Sequence, residues 1–261
     1  MLIEFFIFWI AATVGAIAVM PYQFKMLKGK MEIEANKKTT KKVPPTSVLI
    51  LISILQSVIF LGISSYIGTL LAPKVDLHWW ILEYWIKGTT IPYSVPALLI
   101  LSVVVAFILA LVIIVFDVFF SKRMPKYEFE EPTKTQALLA SLYGGISEEV
   151  LTRLFVMTLF VSLASWIGVN NFSYWIGIIL AAVLFGVGHL PAAFSLIGKT
   201  KIVAIRTILL NTIPGIVFGY LFWKYGIEIA MVTHFFGDIF LHVIIGPYIR
   251  RRIKMGANIE N

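Results

Sequence analysis

Long apolar runs separated by short polar breaks dominate the chain, and the length of those runs sets the first expectation. The hydrocarbon core of a bilayer is about 30 Å thick and takes roughly 20 mostly apolar residues per helix. Seven runs reach that length, at 2–20, 48–72, 94–116, 136–163, 172–190, 205–223 and 227–246. Runs 48–72 and 94–116 carry no charge, and 2–20 carries only Glu4. The last four are equally apolar on average but are interrupted by Glu, Arg, His, Asp, Asn or Pro. The pattern predicts an all-α fold, a polytopic membrane helix bundle of about seven transmembrane helices. Run 2–20 lacks a basic leader and is long for the apolar part of a cleaved signal peptide, so it is read as a span. Residues 75–86 are too short and too charged to cross. Their Trp79, Trp80, Tyr84 and Trp85 predict an amphipathic helix lying at the outer interface.

Composition agrees: 59% of the 261 residues are hydrophobic and 14% charged, against roughly 45–50% and about 25% in soluble domains. A water-soluble globule and intrinsic disorder are both excluded. With no cysteine, disulfides, thiolate metal sites, iron–sulfur clusters and a cysteine nucleophile are excluded as well. A net charge of +8 would suit nucleic acid only if the basic residues formed one patch. They are distributed otherwise. Eighteen of the 22 Lys and Arg fall in 21–47, 121–135, 198–206 and the tail, against Lys74, Lys87 and Lys224 on the other side and Arg153 within a span. Cytoplasmic loops hold the basic excess, so the N-terminus is expected outside and the C-terminus in the cytoplasm, with no nucleic-acid partner. One integral membrane unit is expected. It comprises N-terminal helices and basic loops over 1–135, a core over 136–246 and a basic cytoplasmic tail over 247–261.

Ionisable groups at a helix centre cost about 2.5–3.5 kcal/mol each on insertion scales, so the spans that keep several point to function. Run 136–163 holds Glu148, Glu149 and Arg153, run 172–190 holds His189, and run 227–246 holds His234, Asp238 and His242. Glu149 and Arg153, four apart with the acid first, suit an intrahelical ion pair. Glu148 points about 100° away with no partner in its own helix, so it is expected to face a protein interior or a wet cavity. A carboxyl there can accept and return a proton, as a general base must. His234 and Asp238 share a helix face and are expected to pair directly. His242 reads as interfacial or structural. Gly144, Gly145, Gly186, Gly188, Gly215 and Gly219 would let helices approach closely, and Pro214 is expected to kink the sixth span beside Asn211.

Glu148-Glu149-x-x-x-Arg153, Phe185-x-x-x-His189 and His234-x-x-x-Asp238, in this order on successive late spans, resemble the motifs of the CAAX protease and bacteriocin-processing family of intramembrane glutamate proteases. Members include the Ras-converting CAAX endopeptidase. The resemblance covers about 136–246. It implies an endopeptidase without a metal or other cofactor, with a cavity facing the cytoplasm and a membrane-associated or prenylated peptide as substrate. It would sit in the cell membrane of a prokaryote or the endoplasmic reticulum of a eukaryote. By the same resemblance Glu148 and His189 would activate water, His234 and Asp238 would stabilise the oxyanion, and Glu149 and Arg153 would support the site. The family's third motif takes Asn or Asp at its last position. Asp238 departs from the easier chemistry, because an ionised carboxylate accepts hydrogen bonds and cannot donate to an oxyanion. It would therefore either be protonated or orient His234 as an imidazolium. Relatives with eight spans are described, so eight is an alternative to seven.

Other readings of the same residues remain open. Glu148 with the histidines suits a zinc-dependent membrane metalloprotease, although no HExxH is present. Buried acids and histidines also suit a transporter, or an immunity factor that keeps the pocket.

Overall fold

A computed structural model describes residues 1–35, 45–121, 123–125, 132–168 and 170–248. The Lys-rich connector before Pro45 and the tail from residue 249 lie outside the described residues, as do Lys122 and Lys126. Among the described residues all regular structure is helical. The helices are α1 (Leu2–Ala35), α2 (Thr46–Leu71), α3 (Trp80–Lys87), α4 (Val95–Ser121), α5 (Lys134–Leu142), α6 (Thr158–Ala164), α7 (Asn171–Gly188), α8 (Leu190–Ile197), α9 (Lys201–Tyr225) and α10 (Ile227–Asp238). Six stretches are long and apolar enough to cross a membrane: Leu2–Pro21, Ser47–Val75, Val95–Ser121, Asn171–Ile197, Lys201–Tyr225 and Ile227–Tyr248. The protein is an integral membrane protein.

The expected fourth span is not among those six, because it is built differently. Between α5 and α6 the chain stays helical but widens into π-helix over Tyr143–Glu148 and Val150–Met157. The resulting rod is the centre of the molecule. Ser147 donates to the Ala12 carbonyl of α1 at 2.7 Å. Added Cβ atoms on Gly68 of α2 and Gly177 of α7 would lie 2.5 Å from the Leu154 carbonyl and 2.4 Å from Val161. Gly145 packs against Phe235 of α10, and Arg153 reaches the Gly215 carbonyl of α9. Val150, Leu154, Met157 and Val161 are fully buried. Five helices therefore enclose the rod, and α4, packed outside them, turns Leu99, Ile100, Val104 and Val115 outward as a lipid-facing surface. Enclosure is what lets a segment with three charges sit at membrane depth. Gly68→Ala would push backbone against backbone at Leu154, and a loss of about 1–3 kcal/mol is expected, read as a lower melting temperature in detergent.

Local chemistry sets the helix ends. Thr133 and Gln136 form a capping box at α5, Asn170 and Ser173 form another at α7, and Thr200 caps α9 through the Val203 amide. Gly226, at φ 94°, makes the sharp turn from α9 into α10. α1 continues past its apolar part to Ala35 through residues expected to be loop, because Lys, Met, Leu and Glu there are good helix formers. α9 runs unbroken through Pro214.

The short amphipathic element forms as α3, but its aromatics divide. Trp85 is 77% exposed, whereas Trp79 is buried against Phe8 rather than at an interface. Glu228 of α10 accepts from the Leu82 amide at 3.0 Å and so caps α3 from a distant part of the chain. At the other end of α3, Lys87 pairs with buried Glu4 at 2.8 Å. That hydrogen bond holds the Lys87 ammonium above its ordinary pKa, so the pair's contribution to stability is present at neutral pH and is lost on strong alkalinisation.

Candidate active site

The rod's π-helical segments decide which side chains meet. In this i→i+5 pattern residues five apart come into register, so Tyr143 and Glu148 both line one cavity, while Glu149 turns inward and is fully buried. Helical side chains lean toward the N-terminus, which carries the Glu148 carboxylate toward the preceding turn, and Gly144 lines the same cavity. A side chain there would have to move its neighbours. A Cβ on Gly144 would lie 2.6 Å from Asp238 Oδ2 and 3.0 Å from His234 Nε2. Gly144→Ala is expected to displace both groups and lower kcat by about two orders of magnitude through mispositioning, with the helical circular dichroism unchanged.

His189 enters from the opposite wall at a break between α7 and α8. Pro191 at the start of α8 disfavours helical geometry before it, and the His189 amide shifts to a tighter bond with Gly186 O at 3.3 Å. That frees the Phe185 carbonyl, to which His189 Nδ1 donates at 2.8 Å. The tautomer this bond selects leaves Nε2 to accept. Nε2 faces Glu148 Oε1 at 3.8 Å, too far for a direct bond and close enough for both to hold one water.

His234 completes the convergence. Its Nε2 lies 3.9 Å from Glu148 Oε2 and 3.8 Å from Asp238 Oδ2. Its ring stacks on Phe218 with centroids 4.6 Å apart. The direct hydrogen bond to His234, however, does not come from Asp238. Nδ1 donates to Glu149 Oε1 at 2.7 Å. Asp238 instead stands between two imidazoles, with His242 Nε2 3.9 Å from its other oxygen.

Behind the ring, Glu149 Oε1 also meets Arg153 Nη1 at 3.1 Å. Arg153 donates to Thr152 Oγ1 and, at 3.2 Å, to Gly215 O, and its guanidinium lies over Phe185 and Phe218 at 4.9 and 5.3 Å. The planar group thus satisfies several acceptors at once while 1% exposed, which an ammonium could not do as well.

These groups sit in a cavity of about 520 Å³ whose other walls are largely apolar, including Leu109, Ile113, Leu196, Leu210 and Pro214. At its rim Arg206 of α9 pairs with Asp117 of α4, with Nε 2.7 Å from Oδ1. His189, His234, Asp238 and Glu148 therefore share one cavity, and Glu149 and Arg153 lie behind it. His242, read as interfacial or structural, also reaches the lining. Tyr143, Phe218 and Arg206 are lining residues that spacing did not single out. Among the described residues no group of three or more His, Asp or Glu side chains is arranged to hold a metal ion.

Residues 131–240 match the family model described as Type II CAAX prenyl endopeptidase Rce1-like. Over this segment the chain is similar to the CAAX prenyl endopeptidase family. The matched residues run from just before α5 to just beyond Asp238, and so contain all three motif segments. No curated protein and no solved structure matches the chain. The Rce1-like family is one of proteases, and the six stretches able to cross a membrane place this chain in a lipid bilayer.

Proposed function

We propose that the protein is an intramembrane endopeptidase of the glutamate type that cuts membrane-associated peptides, prenylated CAAX tails foremost. The observation that carries this reading is the convergence of Glu148, His189 and His234 in one largely apolar cavity. Water held between Glu148 and His189 Nε2 gives a proton to Glu148 as its oxygen bonds to the scissile carbonyl carbon. In its doubly protonated form His234 keeps Nδ1–H on Glu149 and directs Nε2–H at the resulting oxyanion. Asp238 balances that charge without touching the oxyanion. Collapse breaks the C–N bond, Glu148 returns its proton to the leaving amine, and a carboxylic acid and an amine depart, the acid passing its proton to the amine or to water.

The rod counts as a seventh crossing in this reading. The cavity rim at α8 and the start of α9 lies beside Lys199 and Lys201, so the site opens to the cytoplasm under the positive-inside rule, with the N-terminus outside. Apolar walls suit a lipid-modified substrate.

The test compares a farnesylated CAAX peptide with its unprenylated form in detergent, with Glu148→Ala as control. Faster cutting of the farnesylated peptide, lost in the variant, is expected, whereas cleavage of neither sinks the assignment. Chelators such as EDTA and 1,10-phenanthroline are expected to leave the rate unchanged. Inactivation that added zinc reverses would instead establish the metalloprotease.

A further inference from the structure

Asp238 poses a chemical problem at the proposed site, because an ionised carboxylate beside the reacting carbonyl accepts hydrogen bonds and donates none. That leaves His234 Nε2 as a single donor, and most other polar groups around the cavity are already engaged. Asn211 Nδ2 donates to Thr207 O at 2.7 Å, Arg206 is bound to Asp117, and His189 Nδ1 is bound to Phe185 O. Tyr143 differs. Its ring lines the cavity, and its hydroxyl makes no hydrogen bond to a described residue. It directly precedes Gly144, over which His234 and Asp238 meet. The π-helical register that turns Glu148 into the cavity brings Tyr143, five residues earlier, to the same face, within electrostatic reach of the Glu148 carboxylate.

We propose that Tyr143 is a further catalytic residue, whose phenolic O–H donates a hydrogen bond to the oxyanion formed when water attacks the scissile carbonyl. The proton stays on the phenol throughout, so the proton balance of hydrolysis still runs through Glu148. The role rests on the proteolytic reading above. It supplies the second donor that Asp238 withholds, and it explains why the wider helix is useful here: in an α-helix, residues five apart would point about 140° from each other.

The experiment pairs Tyr143→Phe with Glu148→Gln in the full-length protein. The probes are a farnesylated CAAX peptide and its phosphinate analogue, whose tetrahedral P–O⁻ stands in for the oxyanion. Phenylalanine keeps the ring's packing and removes only the donor. Expected is a fall in kcat of about 10- to 100-fold with KM nearly unchanged, somewhat less than for loss of a main oxyanion donor. Phosphinate affinity should weaken by a similar factor while affinity for the uncut peptide stays the same. A Tyr143→Phe enzyme with wild-type kcat, or one that loses affinity equally for both probes, overturns the donor role and leaves the protease reading standing on Glu148→Gln. Full activity in Glu148→Gln, or no cleavage by the wild type, overturns both.

Discussion

Arg153→Ala is expected to destabilise the protein by about 3–5 kcal/mol, the largest stability effect of any single change at the site. Glu149 is fully buried, and its charge is matched by Arg153 at 3.1 Å and His234 at 2.7 Å on the same oxygen. Removing the guanidinium leaves that carboxylate short of positive charge, empties the space over Phe185 and Phe218, and deprives the Gly215 carbonyl of a donor. Thermal unfolding in detergent should show a clear loss, with activity falling in parallel because Glu149 can no longer fix His234. Arg153→Lys should recover part of the stability, since charge is restored but the fork is not. An Arg153→Ala protein as stable as wild type would mean that Glu149 is not held as an anion against the guanidinium.

The second large effect separates chemistry from folding. Glu148→Gln keeps size and shape but removes the proton acceptor, and general-base catalysis is worth about 10²–10⁴-fold. A fall in kcat of at least about 10³-fold is expected, with KM and melting temperature close to wild type. Unlike Glu149, Glu148 makes no direct hydrogen bond to His189 or His234, only approaches of 3.8 and 3.9 Å, so its replacement disturbs little packing. The two neighbours thus predict opposite signatures, activity without stability for position 148 and stability first for the Glu149–Arg153 pair.

Much of this arrangement was legible in the chain. Charges inside apolar runs are costly, and the three runs holding Glu148, His189 and His234 are those whose segments converge. The Glu149–Arg153 contact also follows from spacing. What spacing could not supply is the tertiary partner. Four-residue separation on one helix favours an Asp238–His234 bond, whereas packing brings Glu149, 85 positions away, to 2.7 Å. The π-helical widening was equally hidden, because hydrophobic periodicity assumes 3.6 residues per turn and cannot show which turn is wider. Hence Tyr143 carried no signal, although Gly144 beside it did. Trp79 looked like its interfacial neighbours because composition does not say which ring turns inward, and contact with Phe8 decides that.

The central claim is that Glu148 activates water inside the cavity to cut a peptide. It is tested most directly by a single turnover in ¹⁸O-water, with protein reconstituted in liposomes and in excess over a farnesylated CAAX peptide. The account predicts one ¹⁸O atom in the new carboxylate of the product from the first turnover, and no product from Glu148→Gln. A first-turnover product carrying only ¹⁶O would show that a protein carboxylate, not water, attacked the carbonyl, and would contradict the mechanism. Labelled product formed at the normal rate by Glu148→Gln would contradict the role of Glu148.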